Sequence, residues 1–403
     1  TVSGVSGSQD ILGDGAVDLD GATVNDINFF VAVTSSNNPS SLEDVQLHAN
    51  LTLNQPLTGS GLILVSEVAI DLNAQEFNLL TGATIEVVTG RTLTIEASSS
   101  SGQLIGLGTA NSVSPNSGPV NLVVTGQAVV DNVDIKPDVS FTLGNGQLKN
   151  LTLSDDFTSV TNQVIMSDVV ITGSATINHA LDDKALDGVT VQGAATISVT
   201  NAFIDMTFED TLLITGSAAS DRDKSEVTIT NAAFSGDVTI NDTNDKLILE
   251  GTVSGVSGSQ DILGDGAVDL DGATVTSLSF STALTLLSDS SISGGQITGA
   301  LTIGNKSLTM TGVSTISGSV ISSSGSLDLL GDTTLANLTS PSIQLGQWVT
   351  LTIAGQVTNS GVITYLTESG ISIVTQAGAT LATPVALSGS GLSTSSNTFT
   401  VDL

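Results

Sequence analysis

A right-handed parallel β-solenoid, or β-helix, is the all-β fold class predicted by the sequence, with tandem β-sandwiches as the alternative. Three observations carry that prediction. Short segments that alternate apolar and polar residues recur roughly every twenty residues. Gly, Ser, Thr, Asn and small aliphatics dominate, while Lys and Arg together number 8 in 403 residues and aromatics make up 3%. Such a composition suits strands and tight turns better than helices. Finally, TVSGVSGSQDILGDGAVDLDGATV occupies residues 1–24 and recurs unchanged at 252–275.

The duplication sets the organisation, because an identical block of this length does not recur by chance. Similarity continues beyond it: Val24, Ile27 and Phe29 match Val275, Leu278 and Phe280, and LEDVQLHANLTL from Leu42 resembles ISGGQITGALTI from Ile292. Two repeat units are therefore expected, residues 1–251 and a shorter 252–403. Within them, RTLTIEA from Arg91, TISVTNAFID from Thr196, SEVTITNAAF from Ser225 and SLTMTG from Ser307 each read as a strand leading into a turn. In Val227-Thr228-Ile229-Thr230 and Thr350-Leu351-Thr352-Ile353 the apolar residues face one way and the threonines the other.

Parallel coils and antiparallel sandwiches share that alternation, so the turns decide between them. Hairpin dipeptides such as Asp14-Gly15, Asp20-Gly21, Asn145-Gly146 and Asp187-Gly188 are few, and looser Ser, Thr, Asn and Gly stretches suit solenoid corners. SSSSG from Ser98 and VSPNSGPV from Val113 are expected to bracket a long loop, with smaller breaks at NNPSS from Asn37 and SSSGS from Ser322. A narrow stack can lengthen without thickening its core, which fits a chain with few aromatics. Trp348 and Tyr365 are expected to cap the final coils.

Charge narrows the partners. With 40 acidic residues against 8 basic, the net charge is −32, and such a surface repels phosphate backbones and anionic headgroups. Nucleic acid is set aside on that ground. No apolar run approaches the roughly 18 residues of a membrane span. The chain has no cysteine, which suits an extracellular or cell-surface protein built without disulfides, and its start at Thr1 is read as that of a processed chain.

Asp10, Asp14, Asp18 and Asp20, repeated as Asp261, Asp265, Asp269 and Asp271, form the densest carboxylate cluster that the duplication preserves. Hard cations require several oxygens at once, so calcium is the expected ion, with a solvated turn as the competing reading. Asp18 and Asp20 are expected on one side of a strand. The stretch GDGAVDLDG from Gly13 departs from the GGxGxDxUx nonapeptide of calcium-binding β-rolls in its glycine spacing, and no tandem nonapeptides follow.

Catalysis has weaker support. Asp155-Asp156 and Asp182-Asp183 could supply paired carboxylates. The Gly-His-Gly and Arg-x-Lys partners of polygalacturonase-like sites are missing, since His48 lies between Leu47 and Ala49 and His179 between Asn178 and Ala180. Arg91 and Arg222 are the only arginines, and Arg222 reads as part of a solvated charge run. Thr92 with Thr94, Thr228 with Thr230 and Thr309 with Thr311 reflect β propensity unless they stack in register. Sequons at Asn50, Asn150, Asn241, Asn305 and Asn337 are unsurprising in a Ser/Thr-rich chain.

Composition, alternation and duplication together resemble bacterial and archaeal β-solenoid surface proteins: adhesins, filament subunits and S-layer proteins. That resemblance implies export and either self-association or adhesion. A coil that has a neighbour at 252–275 and lacks one at 1–24 is expected to stack head to tail on another copy of the chain, or on an earlier repeat if the chain is part of a longer protein. Recognition of a surface glycan is the rival expectation, and a polysaccharide-active enzyme the third.

Overall fold

In the computed structural model the described residues are 2–3, 9–98, 100–144, 146–158, 165–178, 186–198, 201–215, 225–255, 260–317, 320–322, 326–330, 333–335, 338–345, 350–353, 356–365, 372–375, 380–381 and 400–402. Their regular elements are all β-strands, paired in parallel, so the alternation arises from solenoid coils rather than sandwiches. Among the described residues no helix is long and apolar enough to cross a membrane. The chain divides into two compact units, Thr1–Ala194 and Ala195–Leu403. The repeat boundary at residue 252 falls inside the second of these.

In the first unit each coil lays strands on three faces. Ser40–Leu47 bends at Asp44 (φ 49°), which puts its two halves on different faces, and Leu51–Leu53 supplies the third. The next coil repeats this with Leu57–Val65, bent at Gly61 (φ 67°), and Val68–Asp71. Register aligns Leu42 with Gly59, Val45 with Ile63 and Leu51 with Ile70. On one face an inward ladder runs through Val17, Val33, Leu51, Ile70, Ile95, Val124 and Leu143, and every member from Val33 onward is buried. Burying each such side chain contributes roughly 1.5–3 kcal/mol.

The second unit follows the same plan. Val227, Leu247, Val268, Leu284, Leu301 and Val320 form a fully buried ladder. Phe208 and Phe234 stack one above the other inside, with ring centroids 5.6 Å apart and planes 8° off parallel. Parallel coils align like residues at the strand spacing, so a narrow core of small aliphatics is filled by repetition instead of by large aromatics.

Corners are built from residues in the left-handed conformation. Asp26, Asp44, Asn132, Asn150 and Asp168 in the first unit, and Asp205 and Asn231 in the second, all have φ between 49° and 59°. Asp and Asn tolerate this region because their short polar side chains bond locally. Here they also bond to the neighbouring coil: Asp44 Oδ1 accepts the Leu62 N–H at 2.8 Å, and Asn231 Oδ1 accepts the Thr252 N–H at 2.9 Å. Glycine follows where that side chain leaves no room. A Cβ on Gly61 would meet Asp44 Oδ1 at 2.2 Å, and one on Gly251 would meet Asn231 Oδ1 at 2.3 Å.

Several expectations shift against this frame. Coil length varies, from 16 residues between Val17 and Val33 to 29 between Leu93 and Leu122. The segment expected as one long loop from Ser98 into Val113–Val120 contains a strand, Ser112–Pro115, paired with Thr84–Val87 on one side and with Asp134 and Ile135 on the other. Proline is tolerated there because it closes the strand. Trp348 lies outside the described residues, and Tyr365 ends the strand Gln356–Tyr365.

Candidate functional site

The duplicated block corresponds to one complete turn. Val2 pairs with Val24 at its first copy, and Val253 with Val275 at its second. Towards the following coil the two copies keep the same register: Gln9 faces Ile27 as Gln260 faces Leu278, and Val17 faces Val33 as Val268 faces Leu284.

The other side differs. Residues 253–271 are also paired with the preceding coil, Ala232 with Val253, Val238 with Ile262, Leu247 with Val268 and Leu249 with Leu270. Among the described residues, the strands Val2–Ser3, Gln9–Ile11 and Val17–Asp18 pair on one side only. Covered on both sides, the block forms the strands Gln260–Gly264 and Ala267–Thr276; covered on one, the corresponding residues form the shorter Gln9–Ile11 and Val17–Asp18. Strand length here follows the neighbour, since a strand needs a partner ladder for its backbone groups.

Burial changes in parallel. Ile262 and Val268 are fully buried, whereas Ile11 and Val17 are half-buried and Leu12 is 71% exposed. A hollow of about 100 Å³ opens among Ile11, Val17, Leu19, Ala22, Val24 and Phe29.

The eight aspartates divide in the same way. In the first copy Asp10, Asp14, Asp18 and Asp20 are all exposed. Asp10 accepts a hydrogen bond from Asn28 at 2.8 Å, Asp18 from the Ser36 N–H at 2.9 Å and Asp20 from Asn38 at 2.8 Å. Asp20 occupies a corner (φ 37°) beyond the strand that holds Asp18. In the second copy Asp269 and Asp271 do share one side of a strand. Asp269 is buried, with 5% of its side chain exposed, and pairs with Lys246 Nζ at 2.9 Å. Asp271 accepts a hydrogen bond from Ser288, the Asp261 N–H donates to Asp237 at 3.0 Å, and Asp265 lies exposed at a turn.

These positions are distributed over successive faces of the coil. Among the described residues, no group of three or more His, Cys, Asp or Glu side chains is arranged to hold a metal ion. Lys246, one of the chain's 8 basic residues, was not singled out from the sequence, although scarcity alone could have marked it. Its partner carboxylate, accepting a hydrogen bond from Nζ, raises the ammonium above the ordinary lysine range. Burial opposes that rise, and Asp269 and Glu226 add to it through charge.

Among the described residues, the candidate catalytic groups do not converge. Asp156 Oδ1 accepts the N–H and hydroxyl of Ser174 at 2.8 and 2.9 Å, and these bonds hold its carboxyl below the usual carboxylate range. Asp155 Oδ1 accepts the Asp156 N–H at 2.8 Å. His48 stacks flat on Phe30, with centroids 4.3 Å apart. Arg91 reaches Glu67 at 3.8 Å on the surface. Asp182, Asp183, His179 and Arg222 lie outside the described residues.

Thr92 and Thr94 stand opposite Asn121 and Val123 on the next coil, so these threonines do not stack in a ladder. Asn50, Asn150, Asn241 and Asn305 are exposed, and Asn337 lies outside the described residues. No family model matches the chain, and neither a curated protein nor a solved structure matches it.

Proposed function

We propose that this chain is an extracellular structural protein of a filament or surface layer, built by end-to-end stacking of solenoids. One observation carries the reading: the duplicated coil keeps the same onward register in both copies, and in its second copy it stacks on the coil before it through parallel strand edges, so units of this chain can be joined by coil edges alone. Exposed parallel edges are templates for further strands, and natural proteins usually blunt them with lysine, proline or a covering element. The duplicated block, at 1–24 and again at 252–275, contains no lysine, arginine or proline. Heterologous contacts give rings where the rotation closes and open filaments where it does not, and end-to-end stacking of coils is the second case.

Calcium enters this proposal as a counter-ion. Bringing together chains of net charge −32 costs electrostatic work that divalent cations reduce by screening and by bridging carboxylates. Negative-stain microscopy of the purified chain, with calcium and then with a chelator, tests both points. Ordered fibres or sheets that dissolve on chelation are the expected result. Isolated rods in both conditions would overturn assembly and favour the glycan-binding adhesin.

A further inference from the structure

The sequons separate once they are placed on the coil. A transferase must reach both the acceptor amide and the hydroxyl two residues on, so the whole motif has to stand clear of the core. At Asn50-Leu51-Thr52 and Asn150-Leu151-Thr152 the middle leucine is buried, 0% and 4% exposed, and the threonine lies in a strand. Asn50 Oδ1 also accepts the Ala69 N–H at 3.0 Å, and the Asn150 amide donates to Asp131 Oδ1 at 2.9 Å. Asn305-Lys306-Ser307 begins in a turn, but Ser307 opens a strand and its N–H donates to Asp289 Oδ1 at 2.8 Å.

Asn241-Asp242-Thr243 differs from all three. It lies wholly in the turn between the strands Val238–Ile240 and Lys246–Gly255, with Asn241 and Thr243 exposed. Asp242 holds the turn. Its Oδ1 accepts the Asn244 N–H at 3.0 Å and the Asn244 amide at 3.2 Å, and its carbonyl accepts the Asp245 N–H at 2.9 Å. Ile240 pairs with Gly264, so the following coil passes the acceptor with Gly264, Asp265 and Gly266. On that side a bulky group meets a single side chain.

We propose that Asn241 is the acceptor of an N-linked glycan. The site rests on the reading of the chain as exported and is independent of end-to-end stacking. The co-reactant is an oligosaccharide joined through its anomeric carbon to a lipid pyrophosphate. A bond forms between Asn241 Nδ2 and that carbon, and the bond from the carbon to the phosphate oxygen breaks. The pyrophosphate leaves with the electron pair, and one Nδ2 proton passes to water. The strand Val238–Ile240 keeps its ladders to Leu212–Ile214 and Gln260–Gly264, so the glycan is carried on the side of the coil without opening the stack.

The test incubates the folded full chain with a single-subunit oligosaccharyltransferase and a lipid-pyrophosphate oligosaccharide, and maps the product by peptide mass spectrometry. Synthetic peptides of residues 47–55, 147–155 and 238–246 report each sequon without the fold. Relative to the peptides, occupancy at Asn241 in the folded chain is expected to exceed that at Asn50 and Asn150 on the order of tenfold, because those two need local opening of the core. It should be lost in Asn241→Gln and Thr243→Ala and kept in Thr243→Ser. Relative occupancy at Asn50 or Asn150 equal to that at Asn241 would overturn the inference. An unmodified chain would overturn it whether or not the Asn241 peptide is modified. Failure here is separate from failure of export, which the reaction in vitro does not require.

Discussion

Replacing Lys246 by Met leaves the Asp269 carboxylate buried without its cation. Breaking a fully buried ion pair costs about 3–5 kcal/mol. Lys246 is 38% exposed, so water restores part of the lost interaction, and about 1–2 kcal/mol is the expected cost. Each coil contacts its neighbours alone, so the loss should remain local and escape a global melting curve. Hydrogen exchange on peptides spanning Lys246–Gly251 and Leu270–Phe280 reads it as roughly 5- to 30-fold lower protection.

Asp269→Asn in the same chain should recover most of that loss, because a neutral amide no longer needs the ammonium. Asp18→Asn, the same substitution at the exposed counterpart in the first copy, should stay within about 0.5 kcal/mol. Purely additive effects of Lys246→Met and Asp269→Asn would refute the pairing. The pH dependence has a fixed sign. The folded ammonium titrates above its unfolded value, so the contribution is full below the unfolded lysine pKa and disappears as pH rises through the raised one.

Two further outcomes follow from the coils themselves. Phe234→Ala removes a fully buried ring stacked on Phe208 and should cost about 3–5 kcal/mol. Exchange should quicken in Asn201–Phe208 and Glu226–Phe234 and stay unchanged in Leu51–Leu53. At Asp71, burial would raise the carboxyl, but the Ser98 hydroxyl at 2.7 Å and the N–H groups of Asn73 at 2.9 Å and Ser98 at 3.2 Å hold it below the usual carboxylate range. Its stabilisation is present above the unfolded carboxylate pKa and is lost as pH falls through the lowered one. Carbon-detected NMR titration should place this midpoint below that of Asp71 in Ser98→Ala, and coincident midpoints would remove the Ser98 hydroxyl as a cause.

The fold was legible because strand alternation and solenoid stacking both act locally. Val227-Thr228-Ile229-Thr230 reads in and out in the sequence as it does in the coil. The coil period was less legible, because the clearest marker is a corner instead of a strand. Asp26 and Asp44, and then Asn132, Asn150 and Asp168, recur at 18-residue steps in the left-handed region, scattered among many other Asp and Asn residues. The site was legible only as a duplication. Asp10, Asp14, Asp18 and Asp20 look like a cluster along the chain, yet the three-sided coil distributes them over different faces. Nothing in residues 1–24 distinguishes Asp18 from Asp269, because Lys246 on the preceding coil makes the difference.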